Sequence, residues 1–195
     1  MDARRHVRLM ADYNRWMNRR ITAAAAGLAP QALAEERGAP HGSILGTLNH
    51  QAVCDSIWLR RFEAPGHWAR LEAAATWLPE PSSARDTLAA DLPSYCVLRE
   101  RLDDLLVAWC GELIFNDLDR VLSYRSVSGE TRRRQVGPLL SHLFNQQTHL
   151  RGQATTLMTQ AGVDPGCVHL TALPGFDPFS AVPDDAADEA AAPSA

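Results

Sequence analysis

Lysine is missing from this chain, and all 19 basic residues are arginine. We read that bias as nucleotide composition of the source genome rather than chemistry, with clusters such as Arg132, Arg133 and Arg134 taken as solvated surface. An excess of positive charge is missing too. The 23 acidic residues leave a net charge of −4, which argues against a dedicated nucleic-acid binder, whose footprint is a basic patch. Long apolar runs are absent, so no membrane span is expected, and the opening MDARRHVRLM has no apolar core of a secretory signal. Cysteine is scarce. Cys54, Cys96, Cys110 and Cys167 are scattered without a C-x-x-C, which argues against a zinc site built from them and fits a reduced, cytoplasmic protein.

At 195 residues the chain is long enough to bury a core without disulfides or metals. Its periodicity is mostly helical. Val7, Met10, Tyr13, Met17 and Ile21 place a first helix over about 3–28, ended or kinked at Ala29-Pro30. Ser43 is the expected N-cap of a second helix reaching Phe62. Residues 63–90, rich in Ala, Pro and Trp, read as a long crossover with a short helix, where Trp68 and Trp77 anchor the loop or cover one end of the bundle. A third helix follows Asp91, with Pro93 in its first turn, and continues to Leu113. Residues 121–127 and 130–136, joined at Ser128-Gly129, read as a β-hairpin. A fourth long helix ends at Gly162. These elements define an all-α four-helix bundle with a long crossover and a small hairpin before the last helix. The bundle domain is expected over 1–176, followed by a disordered acidic Ala/Pro-rich tail over 177–195.

The last helix, PLLSHLFNQQTHLRGQATTLMTQAG, carries the strongest functional signal. Leu139, Leu143, Leu150, Ala154, Leu157 and Ala161 form its apolar stripe, and His142, Gln146, His149 and Gln153 run along the edge of that stripe. Polar groups leaning inward must find hydrogen bonds, a metal or a ligand. They either bond one another across the bundle or line a pocket. His50 in the second helix, with Asp55 and Trp58 near it, is the expected facing group. Cys54, one turn from His50, reads as a buried small hydrophobe. Asp55 is expected to orient His50 or to pair with an arginine such as Arg151.

The segments ADYNRWMNRRI, GTLNHQAVCDSIWLRRFEA, YRSVSGE and SHLFNQQTHLRGQATTLMTQAG together resemble the DinB/YfiT-like superfamily of small bacterial four-helix bundles. The resemblance implies three histidines that bind a divalent metal. One comes from the second helix and two, spaced i and i+4, from the last, in a stretch that typically reads HxxNHxTHHRGQ. Carried over by position, the first is His50, while Gln146 and Leu150 occupy the other two positions. Leucine cannot ligate, and a neutral amide is a poor ligand for metals that favour imidazole. His142 and His149 are seven residues apart, roughly 10 Å along the axis, too far to share one ion. A rearranged site from His50, His149 and the Gln146 carbonyl is the geometric alternative.

Three readings follow. The first is a DinB-like protein with a degenerate divalent-metal site. It binds a small molecule between His50, Gln146, His149 and Gln153, as a stress-response accessory or as an enzyme with His149 as acid/base. The second is an active metal-dependent enzyme of the thiol-transferase or isomerase kind that uses zinc or nickel in the rearranged site. The third is a purely structural bundle. The resemblance also implies a homodimer and gives no reason to expect nucleic acid as a partner.

Overall fold

The computed structural model describes residues 2–126 and 129–176. Four long helices carry the fold: α1 (Ala3–Ala25), α3 (Ile44–Glu63), α5 (Leu92–Glu112) and α6 (Val136–Gln160). Two short ones, α2 (Pro30–Ala34) and α4 (Ala69–Ala74), lie in the connections. The expected first helix is shorter than its apolar pattern suggested. It stops at Ala25, and Pro30 opens α2 instead of closing α1, because a proline in the first turn gives up no intrahelical hydrogen bond.

Local chemistry sets the helix starts. The Asp2 carboxylate accepts from the Arg4 N–H at 3.1 Å, the Ser43 hydroxyl from the Gly46 N–H at 3.0 Å, and the Asp91 carboxylate from the Ser94 N–H at 2.8 Å. Helix α6 has no side-chain cap. Its first N–H groups donate to backbone carbonyls just before the hairpin, Val136 to Arg120 at 2.9 Å and Gly137 to Leu118 at 2.8 Å. Pro138 then contributes no donor that would need a partner. At the far end Gly162 takes a φ of 84°, which ends the helix.

The hairpin pairs β1 (Val121–Arg125) antiparallel with β2 (Thr131–Gln135), Ser123 opposite Arg133. Val127, expected to end the first strand, and Ser128 of the expected turn lie outside the described residues, as does the expected tail over 177–195. Around the bundle each long helix packs on two others, α1 on α5 and α6, and α3 on α5 and α6. The interior holds Met17, Ile21, Leu48, Phe62, Tyr95, Leu102 and Trp109, all buried. Trp68 from the crossover meets Trp109 edge-on at 5.4 Å and is itself buried, so the crossover closes one side of the core. Trp77 lies under the Arg101 guanidinium at 4.0 Å.

Candidate functional site

Each of the four long helices inserts one pair of polar residues, spaced i and i+4, into the bundle interior. The pairs are Asn14 and Asn18 on α1, Gln51 and Asp55 on α3, Arg99 and Asp103 on α5, and Gln147 and Arg151 on α6, and all eight side chains are buried. They bond across the bundle. Arg99 bridges Asp55 at 2.5 Å and Asp103 at 2.9 Å. Asn18 donates to Asp103 at 2.8 Å, Gln51 to Asn18 at 2.9 Å, and Arg151 to Asn14 at 2.6 Å. The Gln147 amide links the halves, accepting from Gln51 and donating to Asp55. Two guanidinium and two carboxylate groups thus sit together away from water. Burial raises the Asp55 and Asp103 carboxyls, Asp103 to about 6, against the pull of Arg99. Burial lowers Arg151 to about 10.

His50 lies outside this ring, on another face of α3, because five residues of helix turn Asp55 about 140° away from it. Its Nδ1 is 2.9 Å from the Ala84 carbonyl and its Nε2 is 3.4 Å from the Cys54 sulfur. A carbonyl can only accept, so Nδ1 carries the hydrogen, and in the neutral ring Nε2 is left as the acceptor. Burial, with Asp55 adding to it, pushes the Cys54 thiol up to about 12, so the sulfur keeps its proton and donates to Nε2. The Gln146 amide in turn donates to the Cys54 sulfur at 3.2 Å. A chain of hydrogen bonds therefore runs from Gln146 through Cys54 and His50 to Ala84.

His41 covers this chain. Its ring stacks on His50 with centroids 3.8 Å apart and planes 16° from parallel. Burial, followed by the charges of His50 and His149, lowers its pKa. The loop carrying His41 sits so close to α3 that a Cβ on Gly46 would lie 2.1 Å from the His41 carbonyl oxygen. Two clefts flank this loop and share Pro40. One, of about 490 Å³, is lined by His41, His50, Arg85 and Asp86 among others. The other, of about 480 Å³, is lined by Ala39, Thr148, His149, Gln153 and Leu157 among others.

The polar row expected along α6 is divided among different surroundings. His142 is exposed and meets the Trp58 ring edge-on at 5.2 Å, in a cluster with Tyr124 and Arg61 beneath the hairpin. Gln146 faces Cys54. His149 and Gln153 contact each other at 3.0 Å in the second cleft. Asp55 pairs with Arg99, neither orienting His50 nor bonding Arg151 directly. Sequence reasoning missed His41 and, apart from Asp55, the eight-residue ring. The signal for the ring was present as four i, i+4 polar pairs set within apolar stripes.

The residues at the three ligand positions implied by the resemblance do not fit a divalent metal. Leu150 is packed into the interior at 3% exposure, Gln146 turns its amide N–H toward a thiol, and the His50 Nε2 lone pair accepts that thiol's hydrogen. Among the described residues, no group of three or more His, Cys, Asp or Glu is arranged to hold a metal ion. Also among them, no helix is long and apolar enough to cross a membrane.

Fold and interior together define a four-helix bundle with a polar centre and a hairpin feeding its last helix. The sequence matches the DinB family over residues 3–175, and the chain belongs to that family. Comparison with curated proteins and with solved structures gives no match.

Proposed function

We infer that this chain is a DinB-family protein whose metal position has become a hydrogen-bonded cluster. In this reading it works without a metal, binding a small molecule in the two clefts beside Pro40, in a stress-response role. The observation that carries the reading is the run of hydrogen bonds from Gln146 through Cys54 and His50 to Ala84. It occupies the one imidazole that the ligand positions retain. His41, His149 and Gln153 offer ring nitrogens and an amide to a ligand, and Arg85 and Asp86 offer charge at the mouth of the first cleft. His149 is the acid/base candidate if the bound molecule is also transformed. Its ring is exposed on α6 and, among the described residues, bonded only to Gln153. Four free thiols fit a reducing, cytoplasmic setting.

Metal content of the untagged protein by inductively coupled plasma mass spectrometry, followed by zinc and nickel titration, tests this reading. Metal-free protein with no binding at micromolar concentration supports it. A stoichiometric ion would overturn it in favour of the rearranged site, and His50→Ala and His149→Ala would then show which residues hold the ion. Sedimentation of the same sample reports whether the homodimer expected of such bundles forms.

A further inference from the structure

After α6 the chain returns along the outer face of α1. Gly166 lies against Arg20, close enough that a Cβ there would sit 2.4 Å from the guanidinium. The Tyr13 hydroxyl donates to the Val168 carbonyl at 2.5 Å. Leu173, Pro174 and Gly175 then form one wall of a groove of about 770 Å³, whose other wall is α1 from Arg5 to Trp16. The segment thus runs antiparallel to α1, toward its N-terminus.

The groove is basic with an apolar floor. Arg5, Arg8 and Arg15 line it against the single acid Asp12, and Leu9, Trp16 and Leu173 supply the apolar surface. Arg8 donates to the Gly111 carbonyl at 2.8 Å, and Arg15 is shared between Asp12 and Asp104. Arg5 is exposed, and its side chain makes no hydrogen bond or ion pair among the described residues.

The chain's own charge is divided to match. Of its 23 acidic residues five follow Phe176 (Asp177, Asp184, Asp185, Asp188 and Glu189), with no arginine among them, so eighteen acids face nineteen arginines before that point. The same stretch carries Phe179 and Val182. The ten residues of helix from Arg5 to Arg15 span roughly 15 Å, and about five extended residues cover that distance. We propose that the groove between α1 and residues 173–175 is a docking surface, and that its occupant is the acidic stretch 177–195 of the same chain.

The test uses the full-length protein. In nitrogen-15 NMR, the indole N–H of Trp16, assigned with Trp16→Phe, reports on the groove. The expected result is a resonance in wild type at about 25 mM salt that differs from D184N/D185N/D188N/E189Q and from R5Q/R8Q. It should converge on the position of the tail-neutralised variant at about 500 mM salt, where exposed charges are screened. It should also stay fixed on tenfold dilution. An indole identical in wild type and the tail-neutralised variant at low salt overturns the proposal. A shift that fades on dilution overturns it as well, since the occupant would then be the tail of a second copy. The tail-neutralised variant leaves every described residue unchanged, so a folding defect in R5Q/R8Q does not remove the test.

Discussion

Asp55 on α3 and Arg99 on α5 meet at 2.5 Å with side chains 5% and 3% exposed. Removing one member of such a pair leaves the other charged and desolvated. Arg99→Met strands both Asp55 and Asp103 and is expected to cost about 3–5 kcal/mol of unfolding free energy, measured with urea. Arg19→Met removes only exposed pairing with Glu100 and Asp104 and should leave the midpoint where it is. Equal midpoints for the two variants would contradict the account of the buried ring.

Asp103 gives that ring a pH dependence. Burial raises its carboxyl from 3.8 to about 6, so the folded chain holds this proton to higher pH than the unfolded chain. Its contribution to stability is therefore full below pH 3.8 and is lost as pH rises through about 6. The difference in unfolding free energy between wild type and Asp103→Asn should fall across that window by up to about 3 kcal/mol. A flat difference would mean that the carboxyl ionises in the bundle as it does in water.

The four thiols should react in a fixed order. Cys167 is exposed and should be modified first by a thiol reagent at neutral pH. Cys96 is half-buried and burial raises its pKa, so it should follow slowly. Cys54, pushed up to about 12, and Cys110, buried and raised as well, should react only on unfolding. Rapid native-state labelling of Cys54, located by peptide mass spectrometry, would break the hydrogen-bond chain proposed through its S–H.

Histidine at 146 and 150, the two positions to which the resemblance assigns ligands, should create a metal site. Gln146→His with Leu150→His places two imidazoles one turn apart on α6, facing the helix that carries His50. Isothermal titration should show zinc or nickel binding in the micromolar range or tighter where wild type shows none. The buried position of Leu150 means the double variant should also lose stability without metal and regain it with metal. No gain in affinity would count against the positional assignment of the ligands.

The glycine at 46 is required by the loop above it. Gly46→Ala sets a methyl 2.1 Å from the His41 carbonyl, a backbone atom that must move. The expected cost is about 1–3 kcal/mol in thermal or urea unfolding, with displaced ring resonances for His41. An unchanged His41 spectrum would show that the loop does not rest on α3 in solution.

Much of the fold was legible because its punctuation is local. Ser43, Asp91 with Pro93, and Gly162 each act within one turn of helix and can be read without knowing what packs against them. The site was less legible. Histidines drew attention to 142, 146, 149 and 153, yet 147 and 151 are the polar positions that point deepest, 100° round the helix from 146 and 150. What makes their burial tolerable is Asp55, Gln51 and Asn14 on other helices, and periodicity within one helix carries no information about facing partners. His41 was hidden for a related reason. Its stacking depends on a loop path set by Gly42, at a φ of 74°, and by the missing side chain at Gly46.

The ring of i, i+4 pairs also acts as a key for alignment. Leucine and alanine recur every turn along α6, so sliding that helix by one turn, 5.4 Å, would still set apolar groups against apolar groups. A slide that set Leu143 in the place of Gln147 would take that amide away from Asp55 and leave the buried carboxylate one hydrogen bond short. The observed relative height of the four helices is the one that brings these cross-helix partners together. Positions outside the ring, such as Gln146 and Leu150, can therefore change while the ring pairs keep holding the helices at one height.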